Sequence, residues 1–184
     1  MGRNTFVNNG WVLENIDDLT VCDTFDCGKD DLNEYFHQDV KWHRGELMTQ
    51  TYKLYKDSEP NLILALLDFC NDSIRMEKFQ TPPNINPKIP YHSFPAVKLT
   101  RFGVKAELQG KHVGTNALNL VKMLFITENR TGCRFITVDS YQDVIDFYKY
   151  NHFNLFSDKD RNKARRAMWF DLLPLKTALP PQLI

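Results

Sequence analysis

Net charge is the first thing this sequence lacks. Lysine and arginine total 23, and so do aspartate and glutamate. No global field therefore draws the chain to nucleic acid, and only a local patch could do so. Cysteine is scarce. Cys22, Cys27, Cys70 and Cys133 fit no zinc pattern. Free thiols in a reducing cytosol are the expectation, with no metal. Long apolar runs are missing too. The longest aliphatic stretch, 62–67, is far shorter than the ~20 residues that span a bilayer. No membrane partner and a cytoplasmic location are expected. The opening "MGRNTF" has no apolar signal core, and Phe6 stands where a myristoylation site wants Ser or Thr. Neither an internal repeat nor a low-complexity block is present.

What remains is ordinary for a globular chain: 184 residues, 42% apolar and 25% charged, enough for one domain with a real core. The expected layout is a single domain over 1–175 and a C-terminal tail over 176–184. "WVLENI" reads as a first strand. "CGKDDLNEYFHQDV" reads as a helix: Leu32, Tyr35, Phe36 and Val40 recur on one face, and Asp30 and Asp31 suit its positive N-terminal end. "KWHRGEL" reads as a second, short helix. "TQTYKLYKDSEPNLILALLDFCNDSI" reads as two strands about a turn at Asp57 to Asn61.

"KFQTPPNINPKIPYHSFP" holds Pro82, Pro83, Pro87, Pro90 and Pro95, which opposes regular structure. It reads as a long surface connection, either functional or an inert insertion. "PAVKLTRFGV" returns to strand. Ala117, Leu120, Val121, Leu124 and Phe125 mark one face of a helix, and "GCRFITVDS" is the next strand. "SYQDVIDFYKYN" reads as a helix with Ser140 and Asp143 at capping-box spacing. "FNLF" and "RAMWFDLL" close the set, joined by the charged stretch "SDKDRNKARR". The apolar end "PLKTALPPQLI" offers a surface to a partner chain, which would make a homodimer. A strand-helix-strand unit crosses over right-handed between parallel neighbours, while the front hairpin adds antiparallel strands. A mixed sheet with helices on both faces is expected.

The junction "KLTRFGVKAELQGKHVGTNALNLVKMLF" carries chemistry. A strand enters a loop, Gln109-Gly110-Lys111-His112-Val113-Gly114, and a helix follows. Loop amides running into a helix N-terminus form an anion site; small residues admit a phosphate closely, and Lys111 adds charge. The glycine triplet of a dinucleotide fold is absent.

The order of elements is more specific than the loop. A strand ending in "FGV", Gln109 five residues on, a helix, a strand and then "DFYKYNHF" resemble the GNAT acetyltransferases over about Val97 to Phe153. That family's loop reads Gln/Arg-x-x-Gly-x-Gly/Ala, and its later helix carries an aromatic-Tyr pair before Gly-Phe. "FDCGKDDLNEYF" is similar to the start of the toxin-type branch, which acetylates aminoacyl-tRNA. Departures are His112 for the first motif glycine, Asn151-His152-Phe153 for the Gly-Phe ending, and Tyr141 where many relatives have Asn. The resemblance implies an α/β (α+β) GNAT-like fold: a mixed, mostly antiparallel central sheet with a V-shaped splay and helices on both faces.

It also implies an enzyme that transfers an acetyl group from acetyl-CoA to a primary amine, on a small molecule or a protein. The pyrophosphate would lie on amides from Gly110 to Thr115: Gly110, Lys111, His112, Val113, Gly114 and Thr115, with Gln109 leading in. The pantetheine would pair near Val104, with Gly103 easing a bend. The amide of Phe102 would meet the thioester oxygen, and Tyr148 would be the general acid. Spacing alone makes Tyr148 a core aromatic; the motif upstream argues otherwise. Glu107, Asp68, Asp72 and His92 lie where a base could act, and none is assigned. Lys159, Arg161, Lys163, Arg165 and Arg166 form either a solvated hairpin tip or a clamp for RNA phosphates, with Trp42 and Tyr91 as aromatics that could flank it. Aminoacyl-tRNA is the alternative acceptor, which the neutral charge opposes. A non-catalytic CoA-binding or scaffold module is the reading His112 would support.

Overall fold

The computed structural model describes residues 5–129, 131–159 and 161–180. Eight strands follow the order β1-β2-β3-β4-β5-β6-β8-β7. They are β1 (Thr5–Asn8), β2 (Trp11–Asn15), β3 (Gln50–Lys56), β4 (Ala65–Arg75), β5 (Ser93–Val104), β6 (Phe135–Tyr141), β7 (Asn154–Leu155) and β8 (Arg165–Asp171). The chain divides into two compact units, one holding residues up to 70 with 100–124, the other 71–99 with residues from 125 onward.

In the first unit, β1 and β2 form a hairpin across Asn9 and Gly10. Both turn residues have positive φ, 50° and 73°, as the tight turn favoured between twisted strands demands. β2 pairs antiparallel with β3, and β3 with β4. Glu14 faces Lys53 in register and accepts an ion pair from it at 3.1 Å. The helical segment runs through α1 (Asp30–Glu34), a π-helical stretch (Tyr35–Asp39) and α2 (Val40–Gly45). "KWHRGEL" thus continues the first helix instead of starting another. The expected face is the buried one: Leu32, Tyr35, Phe36 and Val40 are all inside.

In the second unit, β5 pairs parallel with β6, Ala96 to Leu99 against Phe135 to Val138. β6 pairs antiparallel with β8, and β8 with β7. Ile74, Phe79, Phe94, Ala96, Phe135 and Trp169 form one cluster of its core. Phe79 anchors the start of the proline-rich connection, which Gln80 ties to Phe156 (N–H to carbonyl, 3.1 Å) and Arg134 ties at Asn84 (2.8 Å). Helix α3 (Val113–Thr127), whose residues up to 124 belong to the first unit, follows β5, and helix α4 (Ile145–Tyr150) follows β6. Ser140 does not cap α4. It is the sixth residue of β6, and its hydroxyl donates to the Tyr141 carbonyl at 2.9 Å. Helix α5 (Leu172–Ala178) starts on an Asp171 cap whose carboxylate accepts from the Leu173 amide at 3.0 Å. It occupies the front of the apolar C-terminal stretch; 181–184 lie outside the described residues. Among the described residues no helix is long and apolar enough to cross a membrane.

The sheet is therefore mixed, and most of its pairings are antiparallel, as expected. The parallel register ends at Leu99 opposite Val138. β5 runs five residues further, Thr100 to Val104.

Candidate functional site

Past Val104, β5 leads into a 3₁₀ turn, Ala106–Leu108, and then the loop before α3. Two loop amides are already used. The Gln109 N–H donates to Ala106 at 3.3 Å and the Lys111 N–H to Leu108 at 3.4 Å. The ladder of α3 begins with Asn116 donating to the His112 carbonyl at 3.0 Å. The amides of Val113, Gly114 and Thr115 precede that first donor, so they are the orphans every helix start leaves. Gly110 has φ +72°, and a Cβ there would meet nothing within 4 Å. Of the amides from Gln109 to Thr115, those of Gly110, His112, Val113, Gly114 and Thr115 donate to no described backbone carbonyl outside the helix ladder. Negative charge at that end gains roughly 0.3–1 kcal/mol from the helix dipole at an exposed site.

Gln109 is exposed, and its side-chain amide is used within the chain. Its side-chain amide donates to the Cys27 carbonyl at 2.7 Å and to the Val104 carbonyl at 3.2 Å. The elbow "DCGKDDLN" is itself tightly bonded. One Asp26 carboxylate oxygen accepts from the Gly28 amide and from Asn33, both at 2.7 Å, and Asn33 accepts from the Cys27 amide at 2.9 Å. The Ala106 amide donates to Asp26 at 3.0 Å. The N-terminal motif and the loop are therefore stitched together. Gly103 is closely packed: a Cβ on it would lie 3.1 Å from both Cys27 Cβ and Phe25 Cε1.

Both histidines that replace motif glycines hold glycine's conformation. His112 has φ 60° and His152 has φ 66°. His152 sits in a helix-ending motif that explains this. The Phe153 amide donates to Tyr148 and the His152 amide to Lys149, each at 2.9 Å. This is the paired 6→1 and 5→2 closure that normally places glycine at the left-handed position. The hydrophobic contact that accompanies it joins Phe153 to Tyr148, rings 5.4 Å apart and edge to face. Left-handed strain costs a non-glycine residue roughly 1–2 kcal/mol, and glycine's extra chain entropy returns about 0.5–1 kcal/mol of that. His152→Gly should accordingly raise stability by up to about 1 kcal/mol, measured by urea unfolding; a loss of stability would show that the imidazole makes a compensating contact.

Tyr148 is buried, its ring held between Phe153 and Phe147, the latter centred 5.1 Å away. No described residue hydrogen-bonds its hydroxyl. Burial pushes the phenol well above its ordinary value, so it stays protonated. Tyr141 lies under Arg165, whose guanidinium is 4.6 Å from the ring and donates to the hydroxyl at 2.9 Å.

The residues weighed as bases separate clearly. Glu107 is exposed and paired with Lys105 at 2.9 Å. Asp72 accepts from the Thr137 hydroxyl, and His92 is exposed. Asp68 alone is fully buried. Its carboxylate accepts from the hydroxyls of Thr51 (2.8 Å), Tyr35 and, more weakly, Thr100 (3.4 Å). Burial raises its pKa, and those hydroxyl donors pull the other way. Sequence reasoning left this cluster unseen. Of the basic hairpin, Arg166 is buried, donating to the Ser157 carbonyl at 2.6 Å, and Arg165 is spent on Tyr141. Gln142 clasps the loop by donating to the Arg161 and Lys163 carbonyls at 2.8 and 2.6 Å. All four cysteines are free thiols, and no group of described residues could hold a metal.

No family model and no curated protein matches the chain. Solved structures do. A bacterial toxin aligns with a TM-score of 0.74 at 15% identity, over 91% of this chain and 94% of that one. A Tyr→Phe mutant of KacT gives 0.74 at 18%, over 93% and 100%. AtaT complexed with acetyl-methionyl-tRNAfMet gives 0.67 at 22%, over 91% and 98%. Such likeness at such identity establishes architecture: this chain has the fold of AtaT and KacT, in keeping with the GNAT resemblance of its sequence.

Proposed function

We propose that the protein is an acetyl-CoA-dependent N-acetyltransferase that passes the acetyl group directly to a primary amine. One observation carries this reading. β5 outruns its parallel partner and delivers the chain to a loop and helix start whose amides at Gly110 and His112 to Thr115 are available to an anion. In this reading Thr100 to Val104 pair with the pantetheine arm, and the cradle takes the pyrophosphate. AtaTR has been solved with acetyl-CoA bound, which supports the choice of nucleotide.

The amine attacks the thioester carbonyl, forming a C–N bond and breaking C–S. Oxygen charge is met by the amide of Phe102. The sulfur leaves with the proton of Tyr148, and the amine's surplus proton goes to water, whose protons then restore the phenol. The scaffold reading rested on His112 damaging the loop. Its backbone adopts the left-handed conformation a glycine would take, which removes that support.

The second reading narrows the acceptor to aminoacyl-tRNA. It is favoured by the stitching of "FDCGKDDLNEYF" to the loop and by AtaT's complex with acetyl-methionyl-tRNAfMet. The test is thermal unfolding with acetyl-CoA, then release of CoA thiol with bulk aminoacylated tRNA or a panel of small amines. Acetyl-CoA at 100 times its dissociation constant should stabilise the protein by about 2.7 kcal/mol. Absence of any shift rejects the enzyme; turnover with tRNA alone selects the second reading.

A further inference from the structure

Four side chains close a ring directly before Phe102. The Tyr35 hydroxyl donates to the Asp68 carboxylate. The Thr100 hydroxyl donates to the Asp68 main-chain carbonyl at 2.9 Å and reaches the carboxylate at 3.4 Å. The Arg101 guanidinium donates to the Thr100 carbonyl at 2.9 Å. The same guanidinium lies over the Tyr35 ring, 4.5 Å from its centroid, which returns the circuit to its start. Thr51 anchors the hub from β3, directly opposite Asp68 in register. Tyr35, Thr51 and Asp68 are buried.

The ring sits where a strand needs it. β5 has parallel backbone partners in β6 only up to Leu99, so residue 100 begins the stretch that stands without that ladder. The orientation of the Phe102 N–H is set by the Arg101–Phe102 peptide plane. That plane depends on the backbone at 100 and 101, which the ring grips at the Thr100 hydroxyl, the Thr100 carbonyl and the Arg101 side chain. A donor helps a transition state most when it need not reorganise.

We propose that the Tyr35–Asp68–Thr100–Arg101 ring is a positioning device that holds the Phe102 amide toward the thioester oxygen. All four are assigned as positioning residues. This rests on the acetyltransferase reading. It also gives the "NEYF" end of the N-terminal motif a task, because Tyr35 supplies both the hydroxyl and the aromatic face.

The experiment compares wild type, Tyr35→Phe, Thr100→Val and Thr100→Ser. Tyr35→Phe keeps the ring beneath Arg101 and loses only the hydroxyl. Thr100→Val keeps shape and loses the donor; Thr100→Ser restores the donor. The readouts are kcat and KM for acetyl-CoA, from CoA thiol release with the acceptor the wild type uses, at a temperature where every variant is folded by circular dichroism. Tyr35→Phe and Thr100→Val should each lower kcat about tenfold while KM stays within about threefold, because the lost alignment acts in the transition state. Thr100→Ser should stay within about twofold of wild type. Unchanged kcat in both Phe and Val variants, with lowered melting temperature, makes the ring structural only and overturns the inference. A serine variant as slow as the valine one overturns it also. A wild type that neither binds nor turns over acetyl-CoA removes the acetyltransferase reading, and the ring's role falls with it.

Discussion

Tyr148→Phe should lower kcat by at least about tenfold, and by as much as the ~10²–10⁴ that a positioned general acid contributes, with acetyl-CoA affinity unchanged. The substitution is clean. The ring is flanked by Phe147 and Phe153, the main-chain carbonyl accepts from the Phe153 amide, and phenylalanine keeps all of these. No described residue depends on the hydroxyl. Burial raises the phenol's pKa, so it remains a proton donor through neutral pH. The sign for stability follows: the contribution is fully present below the unfolded value near 10 and is lost as pH climbs through the higher folded value. The phenylalanine variant should therefore gain on wild type only in strong alkali. Turnover by the variant equal to wild type, at saturating acetyl-CoA, would remove Tyr148 from the chemistry and leave it a core aromatic.

Local patterns were legible because local physics made them. Ala117, Leu120, Val121 and Leu124 recur at helical spacing and are buried on α3. The strand, loop and helix of the junction stand where the residues implied. Two further local signals went unread. Asn9-Gly10 is the favoured tight-turn pair, and it would have revealed β1. Asp171 before Leu172-Leu173-Pro174 is a helix cap with proline in the first turn, and it would have revealed α5. What no local pattern could give is pairing across distance. Tyr35 and Asp68 are 33 residues apart, and Gln109 reaches Cys27 across 82. Asp68 therefore stood undistinguished among Glu107, Asp72 and His92. Burial, which only tertiary structure decides, separates Asp68 from Glu107.

Asp68→Ala should cost about 2–5 kcal/mol of stability. The hub is fully buried, and its loss strands the hydroxyls of Tyr35 and Thr51. Each buried donor left unpaired costs about 1–3 kcal/mol, and water entering the gap would recover part of it. For a chain of this size the melting temperature should fall by roughly 5–15 °C. Asp68→Asn should cost much less. Its oxygen can still accept from Tyr35, and the Thr51 hydroxyl can rotate to accept from the new amide. The asparagine variant also isolates the charge. Burial raises the Asp68 pKa, so the folded state holds that proton more tightly than the unfolded one. The carboxyl's contribution is then fully present below the unfolded value near 3.9 and is lost as pH rises through the folded value. Wild type should lose stability across that window while the asparagine variant, lacking the group, does not, so the gap between them narrows as pH rises. Urea unfolding of the three proteins at several pH values measures this. A gap that widens with pH would mean that the ring favours the ionised carboxylate, with the hydroxyl donors outweighing burial.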